Sequence, residues 1–332
     1  MQNTLRIEAA TFKAARSFFE DQGFIETFPP RIVRASGACE NIDTLFEVRV
    51  DGDHKWFEPK GKSSNAYLAQ TGQLYLEAFV PLVQRVFCVG PSFRAESAID
   101  NRHMTEFTML EIEFAGGFND LLEQIEGMVS HVAHVIANTR DHLEINETER
   151  TRLSSCPSKF ARLTYDQAIQ ELKDAGEIIK WGDDINSTRE QMLVEKLGNQ
   201  PIFITHFPDP MMYPDIEVEK FFNMLPDPER KGRVQSADLI LPVAGESVGA
   251  AARVHEADEL IDRLTKSKMF ARLKNRGGSL DDFSWYIEQN KKNGAVPHAG
   301  CGFGMARILK WIHGTDDIRT AVTFPQNKAI LI

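Results

Sequence analysis

Cysteine is sparse and never paired in this sequence: Cys39, Cys88, Cys156 and Cys301 stand far apart, with no CxxC spacing. That argues against a zinc ribbon and a disulfide framework, and it fits a reducing compartment. No apolar run approaches the length of a membrane span, and the N-terminus lacks a charged-then-apolar leader pattern. A soluble, cytoplasmic protein is therefore expected. Basic excess is missing too. With 48 acidic against 38 basic residues the formal net charge is −10, which disfavours a partner held chiefly through phosphates. Internal repeats, low-complexity tracts and long linkers are absent as well.

What is present is an irregular alternation of helix and strand patterns. Residues 5–22 have Leu5, Ala9, Phe12, Ala15 and Phe19 at three- and four-residue spacing, which predicts an amphipathic helix ended by Gly23. A short strand at 24–27 stops at Pro29-Pro30. Short strands are expected at 45–50, 56–58 and 86–89, with a helix at 74–83 among them. A strand pair is expected at 93–96 and 107–114, joined by a polar loop. Residues 119–140 read as a helix, and 141–200 as a polar, helical, peripheral excursion. Strands are expected again at 202–205, 221–225 and 238–241, then helices at 256–266, 280–292 and 305–313. Hairpin-like strands flanked by helices predict an α+β fold with a mostly antiparallel sheet, as one domain over 1–332.

Two segments carry chemistry. The first is Phe93-Arg94-Ala95-Glu96, followed by Arg102-His103-Met104-Thr105-Glu106-Phe107 and then Glu111 and Glu113. On one strand, Arg94 and Glu96 would leave the same face, the arginine to clamp a phosphate or carboxylate and the glutamate to accept from an amine. Glu111 and Glu113 alternate in the same way and could meet an ammonium group. The second is Ala299-Gly300-Cys301-Gly302-Phe303-Gly304-Met305-Ala306-Arg307. Its glycines let a ligand approach the backbone, and Arg307 opens a helix whose N-terminal field favours anions. A dinucleotide-binding fingerprint would need such glycines early in a βαβ unit, so that reading fails. His131 and His134, one helical turn apart, have no third ligand nearby in sequence and read as a solvated helix face.

In this order the two segments resemble motifs 2 and 3 of class II aminoacyl-tRNA synthetases, in the aspartyl/asparaginyl branch. Gly23-Phe24-Ile25-Glu26-Thr27 with Pro30 resembles motif 1, which implies a homodimer. The resemblance covers nearly the whole chain and implies ATP-dependent formation of an aminoacyl-adenylate. It implies that Arg94 binds the α-phosphate and the substrate carboxylate, that Glu96 reads the adenine amine, and that Phe107 stacks on the ring. Arg307, with Gly304 before it, would sit on the other face of adenine, and Arg102 and His103 would hold the terminal phosphates. Asp238 and Glu246 would be the Mg²⁺ ligands, with Glu246 also at the ATP.

For the amino acid, Gln70-Thr71-Gly72-Gln73-Leu74-Tyr75-Leu76-Glu77 resembles the asparaginyl version of the substrate segment. Glu77 would accept from a carboxamide and repel an aspartate. Gln73 lies in the same segment, Arg253 would hold the side-chain oxygen, and Glu40 and Glu111 would face the α-ammonium. Three departures stand out. The family's oligonucleotide-binding barrel has no counterpart before the motif 1 helix. Gly249-Ala250-Ala251 replaces Gly-Gly-Ser, and Phe324-Pro325-Gln326 replaces Phe-Pro-Arg. They point toward a relative of the asparagine synthetases related to asparaginyl-tRNA synthetase, which activates asparagine or aspartate and passes it to ammonia or a small amine rather than tRNA. A freestanding enzyme still acting on tRNA and a catalytically silent binding protein are the alternatives.

Overall fold

A computed structural model describes residues 1–34, 42–53, 56–57 and 65–332. The strands are β1 (Ile25–Glu26), β2 (Ile32–Val33), β3 (Glu47–Val48), β4 (Ala66–Leu68), β5 (Arg85–Phe93), β6 (Glu106–Ala115), β7 (Ala161–Thr164), β8 (Ile202–Thr205), β9 (Ser236–Leu241), β10 (Gly245–Ala252) and β11 (His298–Gly304). The helices are α1 (Gln2–Asp21), α2 (Gln73–Val83), α3 (Phe118–Asn138), α4 (Glu147–Ser154), α5 (Tyr165–Asp174), α6 (Ser187–Lys196), α7 (Ala257–Lys266), α8 (Lys268–Asn275), α9 (Ser284–Asn293), α10 (Met305–His313) and α11 (Ile318–Ala321). The main sheet has eight strands in the order β1-β5-β6-β11-β10-β9-β8-β7, and a small sheet has the order β2-β4-β3. Only the two edge pairings of the main sheet, β1 with β5 and β7 with β8, are parallel. The expected α+β class with a mostly antiparallel sheet is therefore what the chain adopts. None of the described helices is long and apolar enough to cross a membrane.

Opposed residues in an antiparallel pair share a face, so the register sorts the side chains into two layers. One row runs Leu239, Val248, Phe303, Leu110 and Val89 across β9, β10, β11, β6 and β5. It packs with α1, α3 and α10 into the largest apolar core, where each fully buried Leu, Val or Phe contributes about 1.5–3 kcal/mol. The next row, on the opposite face, runs Ile204, Asp238, Gly249, Gly302, Glu111 and Cys88. It reads as a strip of glycine flanked by carboxylates, and it floors the site.

Several local expectations change. The buried stripe of α1 is Ile7, Thr11, Ala14, Ala15 and Phe19, whereas Leu5 stays 53% exposed because it lies off that stripe. Residues 86–89 and 93 belong to one long strand, β5, which ends at Phe93. Residues 56–57 are a turn, and 221–225 hold no strand but only isolated bridging at Met224. The segment 141–200 contains, besides helices, the strand β7, which extends the main sheet.

Candidate active site

Above the glycine strip lies a chamber of about 770 Å³ lined by residues of both sequence motifs, within the size range of small-molecule sites. Two glycines of β11, Gly302 at the floor and Gly300 behind it, leave no room for a side chain. A Cβ on Gly300 would fall 2.1 Å from the Glu113 carboxyl carbon, and one on Gly302 would fall 2.5 Å from the Met109 methyl. Gly300→Ala is expected to destabilise the fold by about 1–3 kcal/mol, the usual cost of overpacking. Chemical denaturation checks it, and an unchanged midpoint would contradict the close approach.

Arg94 follows the last residue of β5. Its amide donates to Thr105 O at 2.8 Å, and its guanidinium carbon lies 5.1 Å from the Phe107 ring centroid. The two face each other as a cation and a π surface. Glu96 does not share a strand with Arg94, as the spacing suggested. Its amide donates to Arg94 O at 2.8 Å, closing a tight turn that carries Glu96 to the chamber wall by another route. Arg102 and His103 both donate their amides to Asp100 Oδ1, at 2.8 and 2.9 Å, while His103 Nδ1 meets Asp100 Oδ2 at 2.7 Å. One aspartate thus shapes the loop that presents both. Arg307 lies in the first turn of α10 after Gly304, and its guanidinium donates to the Glu246 carbonyl.

Glu246 reaches the chamber through a β-bulge. The register of β10 on β9 slips between Glu246 and Val248, so that Glu246 opposes Ile240 while Gly249 opposes Asp238. Without the extra residue Ser247, Glu246 would point into the core; such bulges re-aim side chains beside active sites. Burial alone would raise the Glu246 carboxyl, but Lys220, Arg307, Arg94 and Arg102 outweigh it and hold it below the usual range. Asp238 joins it on the same face and is bonded to Lys220 Nζ at 2.5 Å. The hydroxyl of Ser247 donates to Gly245 O, and Ala250 and Ala251 carry no oxygen donor. With the Lys220 ammonium already on one of the two carboxylates, the pair as arranged does not fit a resident Mg²⁺. Among the described residues no group of three or more His, Cys, Asp or Glu side chains is placed to hold a metal.

Glu190, on α6, was not anticipated. Its carboxylate accepts from Arg102 Nη2 at 3.4 Å and from the Glu246 amide at 3.2 Å. Burial, reinforced by Glu246 and opposed by Arg102 and Arg307, pushes its pKa up to about 7 from an ordinary 4.5. A carboxyl raised in the folded chain favours folding when protonated, so its contribution is lost as pH climbs from 4.5 to 7. At about 1.4 kcal/mol per pH unit this gap sets a ceiling of about 3 kcal/mol. Glu190→Gln should therefore stabilise the chain at pH 8 and hardly at all at pH 4.5. Denaturation at the two pH values checks the sign, and an equal effect at both would contradict it.

At the other end, the expected amino-acid residues are largely bonded to one another. Glu111 accepts from the Thr71 hydroxyl and from the Gly72 amide at 2.8 Å. Arg253 donates to Glu113 Oε1 at 2.7 and 3.1 Å and to Gly300 O at 3.1 Å. Glu77 is 4% exposed and stands behind the wall. It accepts from Gln73 Nε2 at 2.7 Å, Asn223 Nδ2 at 2.9 Å and the Tyr286 hydroxyl, with His298 Nε2 at 3.4 Å. Glu77, expected at the substrate from its position in the motif, does not line the chamber; Gln73 does, and Glu77 accepts from its amide. Glu40 lies outside the described residues.

Lys220, Glu190, Asn223, Tyr286 and His298 were missed. Lys220 closes the acidic run Asp215-Ile216-Glu217-Val218-Glu219, where a lysine reads as an ordinary surface charge. The others carry no local signal, since they reach the site only through tertiary contacts.

The model of the family described as tRNA synthetases class II (D, K and N) matches residues 1–328. The asparagine–tRNA ligase of Pelotomaculum thermopropionicum is 36% identical over 325 residues, a match covering 97% of this chain and 68% of that protein. Among solved structures, asparaginyl-tRNA synthetase from Pyrococcus horikoshii complexed with asparaginyl-adenylate superposes with a TM-score of 0.78 at 31% identity, covering 99% of this chain and 69% of that one. The Entamoeba histolytica asparaginyl-tRNA synthetase gives a TM-score of 0.81 at 30% identity, covering 99% and 68%.

Proposed function

Because this chain belongs to the class II tRNA synthetase family of D, K and N enzymes, a family of adenylate-forming ligases, we propose that it activates asparagine with ATP and passes the aminoacyl group to ammonia or a small amine. The observation that carries the first step is the placement of Arg94, Arg102 and Arg307 around one glycine-floored chamber. A substrate carboxylate oxygen attacks the α-phosphorus, the bond to the bridging oxygen breaks, and pyrophosphate leaves with both electrons of that bond. Arg94 stabilises the charge that builds on the α-phosphate, Arg307 and Arg102 hold the departing end, and Phe107 and Glu96 receive adenine. The resemblance implies Mg²⁺ at Asp238 and Glu246, but the Lys220 ammonium already stands against that pair.

Asparagine is favoured over aspartate by the buried Glu77 carboxylate behind Gln73. An added aspartate carboxylate would face like charge there. The net charge of −10 supports a small acceptor. Transfer to tRNA is the second reading, favoured by relatives that are asparagine–tRNA ligases. A homodimer, implied by the motif 1 resemblance whichever acceptor is used, is supported by the exposed apolar residues Ile25, Phe28 and Ile32 beside the motif 1 strand. Release of AMP with ammonium or with tRNA as acceptor tests the transfer step. Stimulation by ammonium or small amines is expected, and aminoacyl-tRNA formation at comparable rates would overturn it.

A further inference from the structure

We propose that Lys220 is a built-in cation standing where a divalent ion would otherwise sit against Asp238 and Glu246, so that the free chain holds no metal at this pair. The inference deepens the adenylation reading and rests on it for the meaning of the site. Its geometry is independent of the reaction.

Lys220 Nζ lies 2.5 Å from Asp238 Oδ2 and 3.8 Å from the centroid of the Phe207 ring. These two anchors, carboxylate and π face, fix a side chain that ordinarily keeps its rotamer freedom. Only 14% of the lysine side chain and 13% of the aspartate side chain remain exposed. Glu246 shares their face because of the Ser247 bulge, and its Oε1 lies over Gly249, the residue opposite Asp238. The ammonium is bonded to one carboxylate and shares its face with the other. Arg102 is turned to Glu190, and Arg307 to the Glu246 carbonyl. A hydrated Mg²⁺ can be held by one or two carboxylates. Here the ammonium already occupies that place, and two cations in one small, partly buried site repel strongly.

The test is a titration of the chain with Mn²⁺, a hard divalent probe, read by electron paramagnetic resonance without ATP or amino acid. It is thus separate from any failure of adenylation. The unaltered chain and Asp238→Asn are expected to behave alike, neither holding an ion at this pair. Lys220→Met should bind one Mn²⁺ per chain at least about tenfold more tightly, since an uncompensated carboxylate pair is left behind. Lys220→Arg should stay metal-free. Binding by the unaltered chain as tight as by Lys220→Met overturns the proposal. So does Mn²⁺ that the unaltered chain holds and Asp238→Asn loses, a comparison that stands even where Lys220→Met fails to fold.

Discussion

Replacing Arg94 with alanine is expected to lower amino-acid-dependent ATP–pyrophosphate exchange by about a hundred- to a thousandfold, the scale seen when one preorganised donor to a developing charge is lost. Its guanidinium is held over Phe107 at the end of β5, at the wall of the chamber. The loss should fall on kcat and on kcat/KM together, because the charge on the α-phosphate grows toward the transition state. Arg94→Lys keeps the charge without the planar fork and should recover part of the rate. The denaturation midpoint should hardly move in either variant. A variant with alanine that keeps most of the exchange would show that Arg94 is not where the chemistry occurs.

Glu77 carries the second large effect. Five groups converge on this carboxylate: Gln73, Asn223, Tyr286 and His298 by hydrogen bonds, and Arg253 at 4.0 Å. Glu77→Ala leaves buried donors and a buried arginine facing a void, and should destabilise the chain by about 3–5 kcal/mol. Glu77→Gln keeps the volume but adds a donor where only acceptance is wanted, so the Gln73 amide loses its fixed sense. Asparagine-dependent exchange should then fall about a hundredfold with smaller loss of stability. The pH dependence follows from both partners. Burial would raise Glu77, but His298, Arg253 and Tyr286 hold it below its ordinary 4.5. Burial would lower His298, but Glu77 and Glu113 lift it above its ordinary 6.5. The carboxylate's contribution is present above 4.5 and fades as pH falls through its lowered value. The histidine's is complete below 6.5 and fades as pH rises through its raised value. The pair therefore supports the fold most between about 4.5 and 6.5, and Glu77→Gln should flatten that window. Unaltered exchange in Glu77→Gln would show that Gln73 needs no such orientation.

The features legible in the sequence are those written in short stretches. The α+β pattern, α3 and α10 follow from local periodicity, and the grouping of Arg94, Arg102, His103 and Phe107 with the Gly300 to Arg307 stretch is what the resemblance to class II synthetases implied. The bulge at Ser247 was not legible, since it is a property of how β10 registers on β9. Nor was the turn at Ala95, where the strand ends sooner than the alternation implied. Glu190 reaches Arg102 from 88 residues away and Tyr286 reaches Glu77 from 209; nothing in their neighbourhoods distinguishes them from surface or core residues. Glu77 was found by its position in a motif, yet its role changes once Asn223, Tyr286 and His298 are seen around it. The resemblance named the groups expected at ATP, and tertiary packing decided which side chains line the chamber.

The central claim, that this chamber forms an aminoacyl-adenylate, is tested most directly by ATP–pyrophosphate exchange measured with each common amino acid in turn. The account predicts exchange dependent on asparagine, weaker with aspartate and at background with the rest. Exchange with aspartate alone would contradict the reading of Gln73 and Glu77, and exchange with none of them would contradict the claim itself.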